Sequence, residues 1–166
     1  MKLKQTALSA ALTASLCLAA AGAAAQTVRI ANQGDALSMD PHSLNESLQL
    51  SIVGNVYEGL VGIEQNLKFG PGLATSWKQT SPTVWRFELR KGVTFHDGSP
   101  FTADDVIFSF ARASGEGSDM RTYTNDIKEV RKINDHVIEI ETKAPFPILP
   151  DALSTCLLYT SDAADE

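Results

Sequence analysis

The sequence predicts a mixed α/β fold, on three observations. Short runs alternate apolar and polar residues, two Ser/Thr boxes with an acid three residues later precede apolar stretches, and Gly, Pro and Asn-Asp pairs punctuate the intervals. The 166 residues are 43% hydrophobic and carry a formal net charge of −6, so Val, Ile, Leu, Phe and Trp suffice for one core and disorder is excluded.

The first 25 residues belong to another physical class. Met1-Lys2-Leu3-Lys4 is a basic start, Ala7 to Ala21 an apolar run, and Ala23-Ala24-Ala25 an A-x-A site, which together predict an export signal cleaved near Ala25. The apolar run is too short and alanine-rich for a spanning helix. Leu16 before Cys17 does not fit lipoprotein processing. Cys156 is the other cysteine, so residues 26–155 hold no disulfide and no cysteine metal site. The same residues carry 12 Lys and Arg against 17 Asp and Glu with no basic cluster, which argues against nucleic acid or an anionic membrane as partner. Residues 156–166, Cys-Leu-Leu-Tyr-Thr-Ser-Asp-Ala-Ala-Asp-Glu, look foreign and resemble one translated frame of a sequencing adapter. Such a scar is expected to lack packing partners.

Thr27-Val28-Arg29-Ile30-Ala31 alternates and predicts an opening strand. After the Ser38 to His42 loop, Ser43 with Glu46 forms a capping-box pattern, so Ser43 is the expected N-cap of a helix with Leu44, Leu48, Ile52, Val56 and Leu60 on one face. Leu60-Val61 to Gly72 reads as strand, turn and loop. Ser76 to Gln79 and Val84 to Arg90 are strands parted by a Ser81-Pro82 turn, with Trp85, Phe87 and Leu89 on the core face. His96-Asp97-Gly98 is a turn in which Gly98 takes positive φ. Thr102 with Asp105 caps a second helix, whose Val106, Ile107 and Phe110 face inward. Ser114 to Ser118 breaks it. Ile127 to Ile133 and His136 to Thr142 form a hairpin around Asn134-Asp135, and Pro145, Pro147 and Pro150 mark the exit from the sheet.

Catalytic motifs are scarce. The histidines are His42, His96 and His136, with no zincin, nucleophile-elbow, P-loop or dinucleotide pattern beside them. A hydrolase or metalloenzyme would have to use His96 with Asp97, Asp104 and Asp105, residues that turn and capping chemistry already explain. His42 reads as a structural histidine bonding backbone, and His136 as solvated. Tyr123, after Met120-Arg121 in a polar connection, is placed to line a ligand site.

Five segments, in order, resemble the family 5 extracellular solute-binding proteins: Leu37 to His42, Asn55 to Val61, Pro71 to Ala74, Trp85 to Gly98 and Ala103 to Phe110. The resemblance runs from Thr27 to about Thr155. It implies a type II periplasmic-binding-protein-like α/β fold, of which the chain is the N-terminal part: residues 26–65 starting lobe one and 66–155 forming the smaller inserted lobe. It implies a periplasmic, monomeric receptor, not an enzyme, needing no cofactor. Such a receptor delivers a peptide or peptide-like solute to the membrane permease of an ATP-driven importer. Nickel, a metal chelate, an opine or glutathione are the alternative solutes. Carried over by position, the solute-facing residues are Leu44, Asn45, Glu46, Ser47 and Gln49 on one wall, with Met120, Arg121 and Tyr123 from the other lobe. A loop entering a helix N-terminus would there offer free N–H groups to a carboxylate.

Overall fold

Alternating apolar side chains set the strands, and two of the longest alternations lie next to each other in the sheet. The computed structural model describes residues 29–159. The elements are α1 (Ser47–Val53), β1 (Val61–Ile63), β2 (Phe69–Pro71), β3 (Ala74–Ser81), β4 (Val84–Leu89), α2 (Ala103–Ala113), α3 (Arg121–Thr124), β5 (Ile127–Asn134), β6 (Val137–Thr142) and α4 (Leu149–Thr155). Strands β1 and β2 form an antiparallel pair, and the other four make one antiparallel sheet in the order β3-β4-β6-β5.

Register puts Phe87 opposite Ile138 and Trp85 opposite Ile140, so the middle of one sheet face is apolar, with Gln79 and Lys132 at its margins. Phe87, Ile138 and Ile140 are fully buried, and Trp77 stacks on Phe87 at 6.3 Å. The other face is ionic. There Arg131 pairs with Glu141 and Glu129, and Arg86 with Glu88. These pairs lie on the solvent side of the sheet, half-buried at most, and contribute little each.

Helix α2 covers the apolar face because both ends of its signal are present. Thr102 is the N-cap, Asp105 accepts from the Thr102 N–H at 2.8 Å, and Val106 and Phe110 are buried while Ile107 is half-buried. Gly98 takes the expected positive φ, at 91°. Gly72 is required by close approach, since a Cβ there would sit 2.7 Å from the Gly59 carbonyl oxygen.

Five expectations are corrected. Arg29 to Ala31 form no strand, Ile30 being 84% exposed, while Thr27 and Val28 lie outside the described residues. Ser43 is not an N-cap, because its hydroxyl donates to the Asp40 carbonyl at 3.0 Å; Glu46 caps instead, accepting from Leu48 and Gln49 N–H. The helix therefore spans seven residues, leaving Val56 exposed and Leu60 buried beyond it. His136 is half-buried, with Nδ1 buried and without a hydrogen-bond partner. Pro145, Pro147 and Pro150 follow the end of β6 as expected, and Pro150 sits in the first turn of α4, where its missing N–H costs nothing, with Leu149 and Leu153 burying one helical face.

The fifth correction concerns the end of the chain. Cys156, Leu157 and Leu158 are buried, Leu157 bridges Gly59, and the Leu158 N–H donates to the Glu58 carbonyl at 2.9 Å. Tyr159 stacks on Tyr57, which lies beyond α1, at 5.9 Å. These four residues do have packing partners. Residues 160–166 lie outside the described part.

Two outcomes test this packing. Burial pushes the Cys156 thiol up to about 12, so in a chain starting at Gln26 a thiol reagent at pH 8 will label it only on unfolding; labelling at the unfolded rate without denaturant would show a detached end. Leu67 holds φ 63° with its side chain 82% exposed. Leu67→Gly is expected to raise unfolding free energy by about 1 kcal/mol, because it relieves the left-handed strain and loses no burial.

Candidate functional site

Asn45 and Tyr123 are brought together by segments that the sequence alone could not connect. The Tyr123 hydroxyl donates to Asn45 Oδ1 at 3.3 Å, joining the loop before α1 to helix α3. Asn45, Glu46, Ser47 and Arg121 are exposed, and Leu44 and Tyr123 half-buried. Arg121 Nε donates to the Ser118 carbonyl at 3.2 Å. Gln49 and Met120 sit differently. Gln49 is 1% exposed, accepting from Leu37 N–H and donating to the Ser38 carbonyl, so it fastens the preceding loop onto α1. Met120 is fully buried in the core cluster.

The free helix N-terminus is also corrected. Both Glu46 oxygens already accept first-turn N–H groups, from Leu48 at 3.0 Å and Gln49 at 3.1 Å. An incoming carboxylate would meet a like charge there.

What positions the Asn45 wall is a cluster that sequence reasoning missed. Asp40 Oδ1 caps the turn by accepting from His42 N–H at 2.9 Å. Arg112, on α2, then grips the same carboxylate with two parallel bonds of 2.7 Å each. The Arg112 guanidinium holds the Asp40 carboxyl below its usual range, burial opposing it, and Asp40 raises Arg112 in return. His42 is 1% exposed, with Arg112 Nη1 3.0 Å from Nδ1 and the Leu157 carbonyl 2.8 Å from Nε2. It is thus the backbone-bonded structural histidine expected. Its own carbonyl accepts from Asp119 N–H at 3.0 Å, immediately before α3. Only Asp40, Pro41 and His42 gave a sequence signal; Arg112 lay unremarked in a helix.

The enzymatic residues are engaged elsewhere. Asp97 accepts from the Ser99 N–H and hydroxyl, both at 2.7 Å, which lowers its pKa, and Lys132 pairs with Asp104 at 2.6 Å. Asp105 closes the capping box. His96 is exposed and lines an apolar groove of about 280 Å³ with Tyr57, Phe95 and Phe101. Among the described residues, no three His, Cys, Asp or Glu side chains are grouped to hold a metal.

Comparison with known proteins gives the class. Residues 68–165 match the family described as bacterial extracellular solute-binding proteins, family 5 Middle. The periplasmic oligopeptide-binding protein OppA of Escherichia coli (strain K12) is 30% identical over 141 residues, covering 74% of this chain and 26% of that protein. The glutathione-binding protein GsiB of Pectobacterium atrosepticum is 32% identical over 112 residues, covering 66% and 22% respectively. The structure of NikZ from Campylobacter jejuni in complex with Ni(L-His) superposes with a TM-score of 0.71 at 27% identity, covering 80% of this chain and 27% of that one. The chain belongs to the family 5 extracellular solute-binding proteins, and its α/β fold is that of part of a periplasmic binding protein. It spans about a quarter of the length of these relatives, of which OppA and GsiB are binding proteins by name.

Removing the grip on Asp40 tests the cluster. Asp40→Asn is expected to lower unfolding free energy by about 1.5–3 kcal/mol, and a double-mutant cycle with Arg112→Met to show most of that loss as coupling. Independent, additive effects in chemical denaturation would refute the assignment.

Proposed function

We propose that this chain is the N-terminal part of a periplasmic receptor that delivers a peptide or peptide-like solute to the membrane permease of an ATP-driven importer. In this reading residues 26–65 begin lobe one, residues 66–155 form the smaller inserted lobe, and the mature protein starts after Ala25. The receptor performs no covalent chemistry. It acts by closing around the solute, and the closed form is the one the permease recognises.

The observation that carries the reading is the Tyr123 to Asn45 hydrogen bond, which joins the two walls that family resemblance assigns to solute. Asn45, Ser47 and Arg121 are the solute-facing residues on their exposure and half-buried Tyr123 on its hydrogen bond to Asn45, with Glu46 fixing the wall and Leu44 flanking it. Gln49 and Met120 act behind them, by holding the loop and the core. Nickel chelates and glutathione remain the second reading, supported by NikZ and GsiB among the relatives. Peptide is placed first because OppA aligns with this chain over 141 residues, against 112 for the Pectobacterium atrosepticum GsiB.

Identification of the solute that co-purifies with a chain extended to the length of the relatives decides between these readings. A peptide supports the first, and a metal chelate or glutathione the second. Turnover of an ester, peptide or phosphate substrate, lost on His96→Ala, would overturn both. Since the chain spans about a quarter of its relatives, the 166 residues alone are expected to give no specific heat of peptide binding. In the extended protein Tyr123→Ala should weaken solute binding about tenfold, corresponding to loss of roughly one hydrogen bond and its ring contact. Unchanged affinity by titration calorimetry would remove Tyr123 from the site.

A further inference from the structure

We propose that His42 is an acid-sensitive latch, whose protonation frees the segment carrying Asn45 from the loop that leads to Tyr123. A guanidinium only donates, so the 3.0 Å approach of Arg112 requires a lone pair on His42 Nδ1. The ring proton is then on Nε2, donated to the Leu157 carbonyl. Both nitrogens are engaged and the residue is 1% exposed. A second proton can enter only at Nδ1, where it sets a donor against a donor and a cation beside a cation.

The surroundings offer no relief. Asp40, on the same segment, already gives both oxygens to Arg112 of α2. Tyr159 lies 5.0 Å from that guanidinium, with Tyr57 stacked on it, so an aromatic pair and no carboxylate fills that side. Asp119, before α3, meets His42 through its backbone N–H and is itself exposed. Burial holds the ring below its ordinary pKa, and the charge of Arg112 adds to this against the Leu157 and Asp40 contributions.

The protonation event reaches the candidate site through one residue. The His42 carbonyl accepts from Asp119 N–H at 3.0 Å and Ser118 Oγ at 3.4 Å, and Ser118 Oγ in turn accepts from Met120 N–H at 3.1 Å. Turning the ring away from Arg112 displaces this carbonyl, and with it the anchor of the helix that carries Tyr123. The sign follows from the depressed folded pKa: the open form takes up the proton first, so the latch holds above pH 6.5 and weakens as pH falls below it.

The test is amide exchange in the ¹⁵N-labelled chain at pH 7.5 and 5.5, corrected for intrinsic rates. About a tenfold loss of protection is expected at Asp119 and His42 over that pH unit below 6.5, with Ile138 in β6 unchanged. His42→Gln keeps an acceptor and a donor but does not titrate, and should abolish the dependence. Equal protection at both pH values, or an equal fall in His42→Gln, overturns the latch. Imidazole ¹⁵N shifts of the unsubstituted protein test it without any variant. A proton on Nδ1 at pH 7.5, or a titration midpoint near 6.5, would overturn it as well. The link to solute rests on the receptor reading above, whereas exchange needs no solute, so failure of one leaves the other standing.

Discussion

Residues 34–46 contain no strand and no helix; Gln49 fastens Leu37 and Ser38, and the grip of Arg112 on Asp40 orients the turn that follows. Two parallel charge-assisted bonds define a plane as well as a distance, so the loop is oriented and not merely tethered. A lysine would supply one point charge and no plane. Arg112 can do this because α2 is itself held in place, capped at Thr102 and buried through Val106 and Phe110. The order of dependence is therefore sheet, helix, guanidinium, loop. Each later member inherits its precision from the one before, and the Asn45 wall comes last.

This order also explains what the sequence could and could not disclose. Strands β4, β5 and β6 and helix α2 were legible because their signals are local: Trp85, Phe87 and Leu89 alternate over five residues, and Thr102 and Asp105 are three apart. Arg112 and Asp40 are 72 positions apart, and no periodicity relates them. Helix α1 was overdrawn because Leu44, Leu48, Ile52, Val56 and Leu60 keep four-residue spacing across a helix end. Ser43 was already committed to the Asp40 turn, which left capping to Glu46. For α4 the signal existed, Pro150 in a first turn with Leu149 and Leu153 four apart, and was read only as an exit. Family resemblance proposes Asn45 and Tyr123 for the candidate site, but neither their hydrogen bond to each other nor the burial of Gln49 and Met120 has a local sequence signal.

The end of the described chain shows how little composition decides packing. Leu157, Leu158 and Tyr159 enter a space bounded by Gly59, Glu58, Ser109 and Tyr57. Hydrophobic packing asks for volume and apolar surface more than identity, and the backbone bridge at Gly59 asks for no side chain at all. A run of Leu-Leu-Tyr satisfies both demands whatever its origin.

On the proposed receptor reading, Glu46 limits what the Asn45 wall can contribute to recognition. Its carboxylate neutralises the exposed first turn of α1 by accepting from Leu48 and Gln49, so the positive end of that helix is closed by the chain itself. The polar groups left facing outward are the Asn45 amide, the Ser47 hydroxyl and the Tyr123 phenol, all uncharged, with the Arg121 guanidinium partly engaged by the Ser118 carbonyl. Neutral donors and acceptors suit a peptide backbone, which presents one of each per residue, better than they suit an isolated carboxylate. Selection by solute charge would then rest on Arg121 and on groups outside this wall, and the neutral groups' part would be register: holding a backbone in place by hydrogen bonds that any side chain can accompany.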